Sequence, residues 1–370
     1  MCVMAKSYQI SVPAHPNIYE FHSRELQIHF SEPELGVNAD TGILLLITGF
    51  GESAGDKYYE QARAYFADQY NLVTVQAEYF GSPFMSSTVT PKFIFNIEAL
   101  KAAFKEEEWA QIYDGTINMD RLMEIGSQYP MNMEGHAVLE ESLEHYNDMG
   151  IMQAIDNITA VLAVIAILKD NDYSINTGRI MSYGQGHGAY LGYLCNAFAP
   201  KLFNLLIDNS GWLMPAYLKN DRRLTFRKGK LTYSVIFNYL AAKLEYDEEL
   251  LSLPTLYKRF FNNANILSFQ EIETGNKGDR VKLKFCQSLK YCMYNEFIST
   301  QLDKNLHDSE ILRLDPDFIK LFDYIMSHVS LDEEHKQSIH LPTITYETKR
   351  YRYKIDYSTE MPIFERTENK

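Results

Sequence analysis

The chain has 370 residues, 46% hydrophobic and 23% charged, with 26 Tyr and 21 Phe, a composition that excludes a disordered or fibrous chain. At about 150 residues per domain this length admits two or three domains, or one enlarged α/β domain with insertions. The 49 acidic against 35 basic residues give a formal charge of −14, which repels phosphate backbones and anionic lipid and argues against nucleic acid or a membrane surface as partner.

No apolar run follows Lys6, so no signal peptide is read. The four cysteines, Cys2, Cys195, Cys286 and Cys292, are too few and too irregular for a disulfide framework or a metal knuckle, and the expected location is a reducing cytoplasm. On one helix Cys286 and Cys292 would point about 120° apart, which makes them no pair. Gly42-Ile-Leu-Leu-Leu-Ile-Thr48-Gly49-Phe50-Gly51 is an apolar run closed by glycines, the pattern of a strand buried on both faces. Asp56 to Asp68 reads as a helix with Tyr58, Ala62, Tyr65 and Phe66 on one face, and Leu72 to Gln76 as the next strand. A strand–helix–strand unit of this kind calls for a parallel sheet covered by helices.

A first insertion, about 81–148, carries Glu106-Glu107-Glu108, a solvated helix face. An apolar helix from Met149 to Leu168 follows; its uncharged stretch, Asn157 to Leu168, is short of the roughly 20 residues of a membrane span. Arg179 to Tyr183 and Leu205 to Asn209 are strands, separated by a helix that places His187, Tyr190, Leu191, Leu194 and Phe198 at helical spacing. A second, cap-like insertion, about 212–264, holds the basic residues Lys219, Arg222, Arg223, Arg227, Lys228 and Lys230 before an expected apolar helix from Val235 to Leu244. Asn265 to Glu271, a strand near Phe297 and a helix from Asp317 to Val329 complete the alternation. The tail, about 341–358, alternates apolar and polar residues and reads as a two-stranded β ribbon pairing with the N-terminal strands.

The sharpest motif is Tyr183-Gly184-Gln185-Gly186-His187-Gly188-Ala189. It follows a strand and opens a helix, the setting of a nucleophile elbow, whose central residue is a Ser, Cys or Asp on a strained turn. Here the central residue is Gly186, which has no side chain to act as a nucleophile. The same glycines fit a loose dinucleotide turn, with Asp208 as the ribose partner. The mid-chain position disfavours that reading, and no cofactor is expected. No Walker loop and no paired metal ligands are present.

Together these residues resemble an α/β hydrolase of the prolyl-oligopeptidase-like group, whose elbow reads Gly-Gly-Ser-(His/Tyr)-Gly-Gly-Tyr-Leu. More narrowly, Asn147 to Ala154, Gly184 to Leu191, Leu206 to Ser210 and Phe318 to Phe322 resemble the uncharacterised bacterial family DUF2920. Members of that family often lie near flagellin-glycosylation genes. The resemblance implies a mostly parallel sheet flanked by helices in a single domain, with the two insertions and the C-terminal ribbon added. It also implies a triad acid at Asp279, in Gly275-Asn-Lys-Gly-Asp279-Arg-Val281. The family's late His-Gly is replaced by Leu312-Arg-Leu-Asp-Pro-Asp317, which leaves His307 as the nearest candidate base.

An oxyanion hole needs two main-chain amides aimed at the developing charge. The turn holding Phe50 and Gly51 is placed to supply one and His187 the other. The His187 side chain either lines the cleft or packs on the first turn of its helix. Glu78 and Tyr79, at the carboxyl end of the Leu72–Gln76 strand, are candidates for ligand contact. Three functions follow. The first is a hydrolase-fold protein without serine chemistry, a pseudoenzyme that binds a small molecule, glycan or protein. The second is an esterase or acyl-transfer enzyme on acylated sugars, acting through His187, Asp279 or an activated water. The third is a scaffold whose basic insertion meets an acidic partner.

Overall fold

The structure is a computed structural model and describes residues 5–86, 91–272, 280–299, 312–314, 317–328, 339–359 and 361–369. In chain order, strands β1 (Lys6–Pro13), β2 (Glu25–Glu32) and β3 (Gly42–Ile47) precede helix α1 (Lys57–Tyr70) and β4 (Leu72–Ala77). The first insertion holds β5 (Pro91–Phe93), α2 (Ile97–Lys101), α3 (Glu106–Ile112), α4 (Met119–Gly126) and β6 (Met131–Ala137). The core resumes with α5 (Ile151–Asp170), β7 (Ile180–Gln185), α6 (His187–Phe198) and β8 (Leu205–Asn209). After β9 (Arg222–Lys228), β10 (Leu231–Phe237), α7 (Glu248–Leu251) and α8 (Leu253–Leu256) come β11 (Asn265–Glu271), α9 (Arg280–Ser288) and β12 (Cys292–Ser299). The chain closes with β13 (Leu312–Leu314), α10 (Phe318–His328), β14 (Ile344–Glu347), β15 (Tyr351–Thr359) and β16 (Met361–Glu368).

Nine strands form one sheet in the order β1-β2-β4-β3-β7-β8-β11-β12-β13. All pairs from β4 to β13 are parallel, and β2 runs antiparallel to both neighbours. This is the mostly parallel, helix-flanked sheet expected. Successive side chains of a strand point to opposite faces. Leu44 and Leu46 therefore pack with Tyr59, Ala62 and Phe66 of α1 and Phe318 and Phe322 of α10. Ile43, Leu45 and Ile47 face the layer built from α5 and α6. Each such side chain removed from water contributes about 1.5–3 kcal/mol. The buried face of α1 is centred one residue from the expected one: Tyr59 is buried, whereas Tyr58 and Tyr65 are each about 40% exposed and reach Asp317 and Asp323 with their hydroxyls.

Helix α5 is 20 residues long, with a mean hydropathy of 2.0 over its most apolar window, longer than the uncharged stretch suggested. By length and composition it would pass for a membrane span, yet 83% of that window is buried inside the fold.

Three expectations are corrected. Val235 to Leu244 is not a helix: Leu231–Phe237 is strand β10, followed by a short turn at Leu240–Ala242. The aromatic and β-branched run of β10 pairs with β9 across Gly229-Lys230, a two-residue hairpin loop in which Gly229 has φ +60°. The tail forms a separate three-stranded antiparallel sheet, β14-β15-β16, while β1 and β2 edge the main sheet. It docks on the C-terminal end of α6, where Tyr346 and Tyr357 donate to the carbonyls of Ala197 and Phe198 at 2.7 and 2.8 Å. Finally, Cys286 on α9 and Cys292 on β12 belong to different elements rather than to one helix, and both are free cysteines.

The two insertions meet in one place. Their strands form a single four-stranded sheet, β5-β6-β10-β9, in which β6 and β10 are parallel. Helices α2 to α4 cover it with Leu100, Trp109, Ile112 and Leu122.

Candidate functional site

The elbow motif spans the turn from β7 into α6. A Cβ on Gly184 would lie 2.4 Å from the Gly188 carbonyl carbon, and one on Gly188 would lie 2.2 Å from the Ile47 oxygen, so both positions require glycine. Gly186 between them has φ +54° and ψ −111°, a backbone conformation that side-chain-bearing residues adopt only under strain. Space does not demand glycine there: the nearest atom to a Cβ at Gly186 is Trp212 Nε1, at 3.8 Å. The turn is pinned by main-chain bonds from Gly186 to Asn209 and from Trp212 to Gly186, at 2.9 and 3.2 Å.

His187 is 1% exposed. Its Nε2 lies 2.7 Å from Gln153 Oε1, while Gln153 Nε2 donates to the Phe80 carbonyl and to Asn147 Oδ1. That arrangement fixes the proton on His187 Nε2 and leaves Nδ1 as a bare, buried acceptor without a partner. Burial pushes the imidazole down to about 3, so the ring is neutral. It packs edge-on against Phe50 at 4.9 Å and lies 5.4 Å from Trp212.

The turn after β3 stands beside this elbow because β3 and β7 are neighbours, with Ile47 opposite Gly184. The Gly49 amide is held by Glu52 Oε2 at 2.9 Å, and the Tyr59 hydroxyl donates to that same oxygen at 2.5 Å. The Phe50 and His187 amides, named as oxyanion donors, have no hydrogen-bond partner among the described residues. Gly51 has φ +90°, and a Cβ there would sit 3.2 Å from Arg222 Nη2. The Phe50 ring also meets Trp212, Tyr217 and Tyr239 at 5.4, 4.9 and 5.8 Å.

Glu78 and Tyr79 differ from one another. Glu78 lines a cavity of about 340 Å³ with Arg24, Gln27, Phe80, Ser82 and His145. It accepts from Ser53 Oγ and the Gly55 amide at 3.1 and 3.0 Å and lies 3.5 Å from His29 Nε2. The His29 contact, with those from Ser53 and Gly55, holds its carboxyl below the usual range against the opposing effect of burial. Tyr79 is 1% exposed, donates to the Thr48 carbonyl at 2.8 Å, bracing the β3 turn, and lines the same cavity as Glu78. Asp208 is fully buried among Tyr193, Gly211, Ser268 and Lys282, which removes it as a ribose partner. Asp279 and His307 lie outside the described residues. Among the described residues, no group of three His, Cys, Asp or Glu side chains is arranged to hold a metal ion.

The model of the family described as "Protein of unknown function (DUF2920)" matches residues 24–219, more than half of the chain. The chain belongs to the DUF2920 family. No curated protein matches it. Solved structures that resemble this DUF2920 member include acylaminoacyl peptidase from Pyrococcus horikoshii, with 11% identity and a TM-score of 0.48 over 91% of this chain and 43% of that one. S-formylglutathione hydrolase from Agrobacterium tumefaciens has 12% identity and a TM-score of 0.43 over 88% and 98% of the two chains. Est1E from Butyrivibrio proteoclasticus has 11% identity and a TM-score of 0.38 over 78% and 88%. The DUF2920 chain thus spans less than half the length of the peptidase. Its fold is a mostly parallel nine-stranded sheet between helical layers, with an added C-terminal antiparallel sheet.

Sequence reasoning passed over three residues of this site. Trp212 carried no motif, Gln153 lay in the Asn147 to Ala154 stretch without being assigned a role, and Arg222 was grouped with exposed basic neighbours. The usable signal for Arg222 was its place at the first position of an apolar-alternating hairpin.

Proposed function

We propose that Gly186 stands where hydrolases of this fold carry their nucleophile, and that the protein uses this sheet edge to bind a small molecule, glycan or protein partner without serine-hydrolase chemistry. The supporting observation is the backbone of Gly186 itself. The strained elbow is kept, its flanking glycines are sterically required, and its centre offers open space and no side chain. His187, the histidine at this turn, is neutral and held by Gln153, so it is poorly placed to activate a hydroxyl at position 186. A fluorophosphonate probe should leave the purified protein unlabelled, and Gly186→Ser should remain unlabelled as well. Strong labelling of the wild type, lost on blocking one serine, overturns this reading; labelling of the variant alone would reveal a base still in place.

The second reading, an esterase or acyl-transfer enzyme on acylated sugars, draws support from the two unpartnered amides of Phe50 and His187. It requires steady turnover of an acylated sugar that His187→Ala or Asp279→Asn abolishes.

A further inference from the structure

Arg222 departs from the basic run that contains it. Arg223, Arg227 and Lys228 on the same strand are exposed, whereas Arg222 is 5% exposed. Its Nη1 donates to the Met85 carbonyl at 2.6 Å and to the Tyr239 hydroxyl at 3.3 Å. The rings of Phe50 and Phe237 lie 5.3 and 4.9 Å from its Cζ. None of these contacts carries a negative charge, and no carboxylate pairs with Arg222 among the described residues. Glu141, which faces Tyr239 from the first insertion, is held instead by the amides of Asn147 and Leu240 at 2.9 and 2.7 Å. The comparably buried Arg63 differs, because Glu60 and Glu78 act on its charge.

A buried cation without a counter-charge is costly to maintain. What Arg222 leaves open is the Nε–Nη2 edge, two parallel N–H groups with the spacing of a carboxylate's oxygens. Nη2 lies against Gly51, whose missing side chain admits it to the turn after β3. The other open groups here are also mainly donors: the amides of Phe50 and His187, and the Trp212 indole N–H, which has no partner among the described residues. Beside them stand the rings of Phe50, Trp212 and Tyr217, packed against one another at 4.9 to 5.4 Å.

The geometry points to a carboxylate-binding site in which the Nε–Nη2 edge of Arg222 grips the acid group of a small aromatic or aliphatic carboxylic acid beside Gly186. The assignment rests on reading this edge as the ligand site. It makes Arg222 the residue that determines specificity for the acid group, with the apolar body lying against the outer faces of this ring cluster.

Isothermal titration with benzoate, benzamide and inorganic phosphate tests it on the full chain. The wild type should bind benzoate in preference to the neutral amide and to phosphate. Arg222→Met should weaken benzoate by about tenfold or more, and Arg222→Lys, which keeps the charge and loses the fork, by less. Should Arg222→Met fail to fold by circular dichroism, the lysine variant decides. Equal binding of benzoate and benzamide, preference for phosphate, or no binding of benzoate overturns the proposal. Trp212→Phe separates the two levels of the argument. If it weakens benzoate while the Arg222 variants do not, the site stands and the carboxylate grip fails; if neither residue matters, the ligand-site reading fails with it.

Discussion

Asp208 and Lys282, below the turn that follows β8, form a polar cluster in which each charge meets its opposite. Asp208 accepts the Gly211 amide at 2.6 Å and the hydroxyls of Tyr193 and Ser268 at 2.8 Å each. The Lys282 ammonium lies 2.6 Å from the same carboxylate and donates to the Gly211 carbonyl at 2.7 Å. At the turns after β3 and β7, on the same edge of the sheet, the polar groups remain open: one side of the Arg222 guanidinium, the Trp212 indole N–H and His187 Nδ1. The first cluster holds elements together and is complete within the chain. The second has donors and a charge that the described chain does not answer, and the proposed ligand site rests on these groups.

That contrast can be broken at several points. Lys282→Met leaves the Asp208 carboxylate buried and unpaired, and should cost about 3–5 kcal/mol of unfolding free energy in a denaturant titration. A loss below about 1 kcal/mol would mean that the pair is not the closed unit described. His187 gives an intermediate effect with a definite sign. The unfolded chain takes up a proton near 6.5, whereas the folded chain, whose imidazole burial pushes down to about 3, does not. The unfolded state therefore binds more protons between those values, and stability falls as pH falls below 6.5. From about pH 7 to 5 this contribution is about 2 kcal/mol, and His187→Asn should flatten the profile by that amount. The smallest effect belongs to Arg222→Met without ligand. Loss of the Met85 and Tyr239 bonds opposes relief of an unpaired charge, and the net change should stay below about 1 kcal/mol. If Arg222→Met instead costs as much as Lys282→Met, Arg222 is a structural residue like its counterpart.

The main sheet was legible because its strands declare themselves locally. Ile43 to Ile47 is apolar throughout and stops at Gly49, and Gly184 and Gly188 mark the only backbone that fits between Ile47 and α6. What escaped depends on partners distant in the chain. The run Val235-Ile-Phe237 is apolar enough for a helix, and becomes a strand because Leu231 to Ile236 lies beside Met131 to His136 of the other insertion. Arg222 looks like Arg223 in the sequence, and only that shared sheet decides which of them turns inward. The third tail strand was missed because Pro362 interrupts its alternation; at the free edge of a sheet a proline removes no ladder bond. Glu78 and Tyr79 were legible from their position at a strand end, and both line one cavity there.

The four-stranded sheet built from both insertions works as a clasp. Its central parallel pair, β6 with β10, takes one half from each insertion, so deleting either segment would strip the other of its hydrogen-bonded edge. The two have to be kept or lost together, and neither can be grafted alone onto a relative. Arg222 sits at the start of β9 in that clasp and holds the Met85 carbonyl just past β4. An acid held by its guanidinium would therefore act as the pin of the clasp, locking two distant stretches of chain over the edge of the sheet.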